Sequence, residues 1–577
     1  MKGLQQIFPI LQWLPNYKRS QLGGDLFAGL TVGIMLIPQG MAYALIAGLP
    51  PVYGLYASIV PQLIYAIFGT SRQLSVAPVA MDSLLVAAGI SVLATEGTDT
   101  YIAFTLLLAF FMGLFQLLLG IFRMGFITNL LSKPVISGFT SAAAIIIGLN
   151  QLQYLIGAEI TKSNRVFEMV FEVFQKLDEI HLPTLLIGAG GIAIIYILKR
   201  IHTAIPGALI AVSVGIMLVI GLDLSQNGVA IVEAIPVGLP SFQLPNFSLG
   251  RLSELAPLAM TISVVAFMES YSVAKAIEAK RRNYKVSPNQ ELIGLGAANL
   301  IGSLFQSYPV TGGFSRSAVN EQSGANTPLS SIISAVLVAL TLLFLTPIFF
   351  YLPKAILASV IMVAVANLIN ISYVKSLWSE NKLEFSLLVI TFLVTLNFSM
   401  VPGIITGVLL SILILLYKSA YPHIAVLGRL EGQSEFRNIR RFKDLEVWED
   451  KLIVRVDASL TFINIQYIKD YIQEALESNT KISELIVDFS PVGYLDATAV
   501  QGLFGLLQTL EEKKVKLILT DIVGPVRDTL HSTGLLERIG IENIYLVLND
   551  ALEKQSSSSY EKREVALQHG LVDMGTK

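Results

Sequence analysis

Cysteine is absent from the 577 residues, which excludes a disulfide framework, a thiol nucleophile and a thiolate metal site. Charge is scarce as well: Asp, Glu, Lys and Arg make up 14% of the chain, where soluble domains carry about a quarter. The formal net charge of −2 gives no pull toward nucleic acid or an acidic partner. Five histidines without ligand spacing make a structural metal an unlooked-for feature, and no cofactor motif is present. No constellation supports enzyme activity. The first twenty residues, broken by Pro9 and Pro15, lack the continuous apolar core of a cleaved signal, so residues 1–20 are expected to be retained as an interfacial segment.

Apolar sequence fills the space that charge leaves. Hydrophobic residues make up 53% of the chain and the mean hydropathy is +0.65, the signature of a polytopic α-helical membrane protein. Runs of spanning length fall near 24–46, 52–69, 76–94, 101–121, 128–150, 182–199, 206–221, 255–277, 290–306, 314–326, 328–350, 354–370, 384–400 and 402–420. About fourteen segments, an even number, put both termini on one side. Lys18, Arg19, Arg123, Lys199, Arg200, Lys280, Arg281, Arg282, Lys285, Lys375, Lys382 and Lys418 all fall on that side, which the positive-inside rule makes cytoplasmic. Lys162, Arg165 and Lys176 oppose them from a longer connection with acidic neighbours, where the bias counts for less.

Two segments are poor spanners. The third begins Ser71-Arg-Gln-Leu-Ser-Val-Ala-Pro-Val-Ala-Met-Asp82, and the tenth is Thr311-Gly-Gly-Phe-Ser-Arg-Ser-Ala-Val-Asn320. Each pairs an extended lead-in with a short helix, and each stands third in a group of seven. Short interrupted segments at matching positions mark a midplane site in an inverted-repeat transporter. Because seven is odd, the second group crosses with opposite polarity, so two helix N-termini should face each other at mid-membrane. Each offers unpaired N–H groups that favour an anion by about 0.3–1 kcal/mol when exposed and up to about 2 when partly buried.

Arg316 lies inside the tenth segment, where a bare guanidinium costs about 2.5–3.5 kcal/mol on insertion scales, so it needs a counterion, a cavity or a substrate. Glu269 in the eighth segment is the matching acid. Two readings stand side by side: a static ion pair locking two helices, and direct participation in transport. Asp82 either serves the site or meets solvent or a helix end. Asp25 reads as a helix-start acid and Glu321 as a solvated or gating residue. In Pro38-Gln-Gly-Met-Ala-Tyr43, Gln39 can donate to an oxyanion and Tyr43 offers a hydroxyl and a rigid wall; a plain proline kink with Gln39 serving the freed backbone is the alternative. Small residues from Ser137-Gly138 to Ala144 suit close helix packing, and Asn367 and Asn370 suit helix glue.

Composition changes after the last apolar run. Residues 421–446 read as a polar, basic linker, and 447–553 as a small domain of alternating strands (452–456, 485–489, 516–520, 543–547) and helices (465–477, 497–511, 525–532). That alternation argues for a largely parallel sheet, with no lysine-bearing phosphate loop. Residues 554–577, with their serine run, read as a disordered tail.

Three motifs in order resemble the sulfate permease family, also called solute carrier family 26: Pro38 to Tyr43, Thr311 to Asn320, and Asp488-Phe-Ser-Pro-Val-Gly-Tyr-Leu-Asp-Ala-Thr498 in a C-terminal STAS-like domain. The resemblance spans about residues 20–550. It implies a transmembrane domain over 21–420 built as a 7+7 inverted repeat with core and gate domains, an elevator-like movement, a homodimer in the lipid bilayer, and a cytoplasmic α/β STAS domain that aids dimerisation or binds a cytosolic regulator. By position it implies an anion site at Gln39, Tyr43, the third-segment helix start with Ala77, Val79 and Ala80, and Phe314, Ser315, Arg316 and Ser317, with Glu269 beside it. Family cargo includes sulfate, bicarbonate, chloride, oxalate and dicarboxylates. Moving a divalent anion inward against about −100 mV costs roughly 4.6 kcal/mol, at about 2.3 per charge, so uptake needs a coupled ion. Glu269 next to Arg316 points to protons, and the arginine disfavours an adjacent sodium. Proton-coupled sulfate symport is therefore the expected function. Sodium-coupled transport of bicarbonate or a dicarboxylate, anion exchange, a nucleobase permease and a membrane sensor signalling through its STAS domain are the alternatives. In the sensor reading Thr498 is the candidate regulatory position, the bland reading being that it caps the helix at Ala499.

Overall fold

The computed structural model describes residues 5, 7–126, 132–158, 160, 166–201, 206–245, 249–366, 368–398 and 400–553. Lys162, Arg165, Asn367, residues 1–4 and 6 of the N-terminal segment, and the 554–577 tail lie outside them. The chain forms two units, Met1–Ser411 and Ile412–Lys577, the division falling within the last apolar helix.

The first unit is helical: α1 (Arg19–Ile46), α2 (Pro51–Tyr56), α3 (Val60–Phe68), α4 (Ala80–Ile90), α5 (Asp99–Ile121), α6 (Lys133–Ile156), α7 (Leu182–Ile201), α8 (Gly207–Gly221), α9 (Leu249–Arg281), α10 (Pro288–Ser303), α11 (Phe314–Gln322), α12 (Leu329–Leu340), α13 (Lys354–Ala366), α14 (Lys382–Asn397) and α15 (Met400–Ala420). Among the described residues nine stretches are long and apolar enough to cross a membrane. The others are short helices or half-helices: α4, α8, α10, α11 and α14. The second segment, expected as one run, is broken between α2 and α3. Pro61 sits in the first turn of α3 and has no N–H to continue a helix from before it. Gly138 on α6 shows why small residues recur here: a Cβ would lie 2.5 Å from the Leu388 carbonyl of α14.

The third and tenth segments cross as antiparallel extended strands, β1 (Val76–Ala77) and β2 (Thr311–Gly312), with Val76 opposite Gly312 and Ala77 opposite Thr311. Antiparallel strands that each run straight into a helix send α4 and α11 away in opposite directions from adjacent starts. Pairing also removes the cost of two open backbones at membrane depth.

Two acids depart from their expected roles. Asp25 is fully buried, seven residues into α1, and accepts from Asn326 N (2.6 Å), Thr327 N (3.0 Å) and Thr327 Oγ1 (2.7 Å). It serves the unpaired N–H groups ahead of α12, which sequence distance conceals. Glu321, expected at a solvated or gating position, is buried and ion-paired with Lys280 Nζ (2.6 Å) and Arg281 Nε (2.9 Å), tying the end of α11 to the basic end of α9. Asn370 caps the helix Ile371–Glu380 by accepting from Tyr373 N at 3.0 Å.

The second unit is a mixed sheet: β3 (Ile424–Leu430), β4 (Phe436–Asn438), β5 (Leu445–Glu446), β6 (Lys451–Val456), β7 (Glu484–Asp488), β8 (Lys516–Thr520) and β9 (Ile544–Tyr545), with α16 (Ile465–Ser478), α17 (Ala497–Glu512), α18 (Gly524–Ser532), α19 (Leu535–Ile539) and α20 (Leu548–Glu553). The order is β4-β3-β6-β7-β8-β9, with β5 also on β3. From β6 to β9 the pairing is parallel. β3 is antiparallel to its partners, so residues 421–446 are not the linker their composition suggests. Polar residues from Arg429 to Arg437 hide the strand, whose buried Ala425 and Leu427 alternate as a strand with one covered face requires. Leu452, Val454 and Val456 pack with Ile468, Ile472, Leu503 and Leu507 on one face; Ala425, Leu427, Ile453 and Ile486 pack with Leu548 on the other. Asp496, not Thr498, caps α17, accepting from Ala499 N at 2.7 Å, while Thr498 is exposed.

Candidate functional site

The crossing is held by side chains that α11 turns toward the third segment. Ser317 Oγ accepts from Ser75 N (3.0 Å), Asn320 Nδ2 donates to Gln73 O (3.0 Å), and Gly313 N donates to Ser75 O (3.0 Å). The polar composition of α11 thus satisfies an extended backbone that lipid could not. From behind, Ser270 of α9 accepts from Gly312 N (2.7 Å) and meets Thr311 Oγ1 at 2.5 Å, while Thr311 Oγ1 lies 2.7 Å from the Ala266 carbonyl. Asn299 of α10 bonds both backbone groups of Val310, at 2.8 and 3.0 Å.

Both half-helices begin without a side-chain cap, at Val79 and at Gly313. Their first N–H groups are left for something else to meet, which is the requirement of an anion cradle. Arg316, in the first turn of α11, is 2% exposed; its Nη2 donates to Ala77 O at 3.1 Å and its Nε is buried without a partner. A Cβ at Gly313 would lie 2.7 Å from Nη2, so a side chain there would push the guanidinium away from the helix start.

A cavity of about 460 Å³ opens at these starts. Gln39 and Tyr43 of α1, Val79 and Ala80, Glu269, and Phe314, Ser315 and Arg316 line it. Ala77 and Ser317 stand behind its wall and act through backbone hydrogen bonds. Glu269 and Arg316 share the cavity without forming an ion pair, and Glu269 Oε2 is buried with no partner. The static pair is not the arrangement seen. Gln39 Oε1 is likewise buried and unpartnered. Asp82, in the first turn of α4, is fully buried with neither oxygen partnered.

Several lining residues carried no signal in the sequence: Met35, Ile195, Lys199, Gln322, Val360 and Leu368. Lys199 had registered only as a topological charge. Lys199, Gln322 and Leu368 stand at or just past the ends of α7, α11 and α13. These are the sixth, tenth and twelfth segments, which finish on the side where the chain begins, so the cavity faces that side. Chemically, the cavity sets one buried guanidinium and two uncapped helix starts against the unpaired carboxyl of Glu269, and Asp82 adds a second in the first turn of α4. It can hold an anion and carry a proton close to it. Among the described residues no group of three or more His, Asp or Glu is placed to hold a metal.

Comparison with known proteins agrees with this geometry. The sulfate permease family model matches residues 22–391, and the STAS domain model matches 442–551. "Sulfate transporter 4.1, chloroplastic" of Arabidopsis thaliana is 38% identical over 567 residues, covering 95% of this chain and 82% of that protein. "High affinity sulfate transporter 2" of Stylosanthes hamata is 36% identical, covering 95% and 86%. The fold matches the murine solute carrier 26 family member A9 anion transporter in its inward-facing state, with a TM-score of 0.88 at 24% identity over 97% of this chain and 95% of that one. The transmembrane domain of the cyanobacterial bicarbonate transporter BicA matches with a TM-score of 0.60 at 24% identity, over 68% of this chain and 98% of that domain. The family is one of transporters, not enzymes. A multi-pass membrane protein with paired half-helices at its centre and a C-terminal STAS domain, this chain belongs to the sulfate permease family.

Proposed function

We propose that the chain is a secondary active transporter that carries sulfate, or a similar oxyanion, together with protons. One observation carries the reading: Glu269, buried with an unpartnered oxygen, shares a cavity with Arg316 at the meeting of two uncapped helix starts. The relatives named as sulfate transporters support the cargo. The anion is held by Arg316, the N–H groups that open α4 and α11 at Val79, Ala80, Phe314 and Ser315, and donors from Gln39 and Tyr43. Ala77 and Ser317 position the two starts. When the anion engages Arg316, the arginine's field on Glu269 is neutralised and the carboxyl takes a proton, which offsets part of the roughly 2.3 kcal/mol per charge opposing entry at about −100 mV.

An elevator-like step follows from how the site is tied together. The β1–β2 ladder, Ser270 and Asn299 bind the third, eighth, ninth and tenth segments into one hydrogen-bonded body, so the site moves as a unit against the separately packed group of α6, α7, α13 and α14. The cavity faces the side of the chain start, which the positive-inside charges assign to the cytoplasm, with both termini and the STAS domain there. A homodimer is carried over from the family. Sodium coupling is the less favoured reading, because a cation between α9 and α11 would sit beside Arg316. A sensor role finds one supporting observation, the exposure of Thr498 at the start of α17.

Proteoliposomes test the proposal. Labelled sulfate should accumulate under an inward proton gradient, and bicarbonate, chloride and a dicarboxylate should compete poorly. Uptake that needs sodium and ignores pH would overturn the proton assignment. Failure to bind or move any anion, together with modification of Thr498 in cells, would favour the sensor.

A further inference from the structure

The second unit carries a concavity that transport does not use. Its volume is about 350 Å³, and its walls are His423, Phe436, Arg437, Asn438, Arg441, Phe442, Arg455 and Asp457. Sheet register explains the grouping. Ala425 lies opposite Arg455, and Asp457 N bonds the His423 carbonyl at 3.0 Å, so His423, Arg455 and Asp457 project from one face at the end of the β3–β6 pair. β4 adds Phe436 and Asn438 beside them, and the turn after it brings Arg441 and Phe442, whose N–H groups both bond the Asn438 carbonyl, at 2.9 and 3.1 Å.

Asp457 is the one acid in the wall. It bridges Arg455 Nε (2.6 Å) and His423 Nδ1 (2.8 Å), fixing both while leaving guanidinium donors of Arg455 unspent. Arg437 pairs outside the wall with Glu435. Arg441 has no ion-pair partner among the described residues. Three arginines flanked by two phenylalanines against one carboxylate form an anion site of the kind guanidinium groups make for phosphate.

Position in the chain says which phosphate. α15, an apolar spanning helix, ends at Ala420, and His423 follows within about 10 Å of extended chain. Tyr417 and Tyr421, 64% and 55% exposed, mark that end as an interfacial aromatic belt. Asn464 Nδ2 donates to Ser419 O at 3.2 Å, and the Tyr421 ring meets Tyr467 at 5.1 Å, so the end of the helix is fastened to the domain that holds the site. Arg437, Arg441 and Lys443 lie within seven residues, and β4, antiparallel to β3, carries the chain back toward that end, the arrangement by which juxtamembrane basic clusters engage anionic lipid. We infer that this cavity binds the phosphate of an anionic ligand, and that the ligand is the headgroup of a membrane lipid.

The test uses the full-length chain in detergent, with binding of dioctanoyl phosphatidic acid and dioctanoyl phosphatidylglycerol measured against dioctanoyl phosphatidylcholine, inorganic phosphate and ATP. The anionic lipids should bind in preference to phosphatidylcholine. The double variant Arg437→Gln/Arg441→Gln should bind them about thirty-fold more weakly. Arg440→Gln, outside the cavity wall, should bind within about two-fold of the unchanged protein. Both variants alter exposed side chains, and an unchanged thermal unfolding profile confirms their folding. ATP or phosphate binding that the double variant abolishes, without lipid binding, keeps the phosphate site but overturns the lipid assignment. Equal losses in Arg440→Gln and the double variant, or no loss in either, would overturn the site itself.

Discussion

Arg316 donates from Nη2 to the carbonyl of Ala77, 3.1 Å away, so a side chain from one half-helix closes on the backbone that leads into the other. The contact depends on Gly313, where a Cβ would come within 2.7 Å of the same nitrogen. Gly313→Ala should displace the guanidinium and lower sulfate uptake about tenfold or more, while the purified protein keeps its unfolding temperature. Arg316→Lys should not substitute for the arginine, since a point charge cannot serve the carbonyl and an oxyanion in one plane. Unaltered uptake by Gly313→Ala would detach Arg316 from the site.

Asp25 is a structural acid. It accepts three hydrogen bonds from Asn326 and Thr327, so Asp25→Ala should lower stability by about 2–3 kcal/mol, read as a fall in unfolding temperature of the purified protein. An unchanged temperature would mean that other groups satisfy those donors.

The two ends of the Asp496-Ala-Thr498 string separate cleanly. Asp496 Oδ1 caps α17 and its Oδ2 accepts from Phe462 N at 2.7 Å. Asp496→Ala should destabilise the STAS domain by about 1–2 kcal/mol, whereas Thr498→Ala should stay within about 0.5. Denaturant unfolding followed by hydrogen exchange in α17 distinguishes them, and equal losses would return the capping role to Thr498.

Asp457 supplies a pH signature outside the membrane. Burial pushes its carboxyl up, but hydrogen bonds from Arg455 and His423 outweigh this and hold it below the ordinary carboxylate value. A depressed acid contributes stability above its unfolded value of about 3.9, and that stability is lost as pH falls through the lower folded value. On acidification below about pH 4 the unchanged protein should therefore lose unfolding temperature faster than Asp457→Asn. Parallel curves for the two would contradict the bridge.

Much of the site was legible because a membrane makes polar residues conspicuous. Arg316, Glu269, Gln39 and the glycine-rich lead-ins stand out against lipid-soluble neighbours, and matching positions in two groups of seven gave the reversed polarity that β1 and β2 display. Contacts between residues distant in sequence were not legible. Asp25, bonded to a turn three hundred residues away, and Glu321, ion-paired with α9, read locally as a helix-start acid and a solvated or gating residue. β3 was hidden for a different reason: its short apolar run, 424–428, lies between His423 and Arg429 and precedes a charged hairpin, so the composition of 421–446 suggested a linker where register builds the middle of a sheet.

The central claim is that Glu269 carries the proton that accompanies the anion. Sulfate uptake into proteoliposomes, measured for the unchanged protein and for Glu269→Gln with and without an inward proton gradient, tests it most directly. The gradient should accelerate uptake by the unchanged protein at least tenfold and have no effect on Glu269→Gln, which still exchanges internal for external sulfate. Gradient-driven accumulation by Glu269→Gln equal to that of the unchanged protein would contradict it.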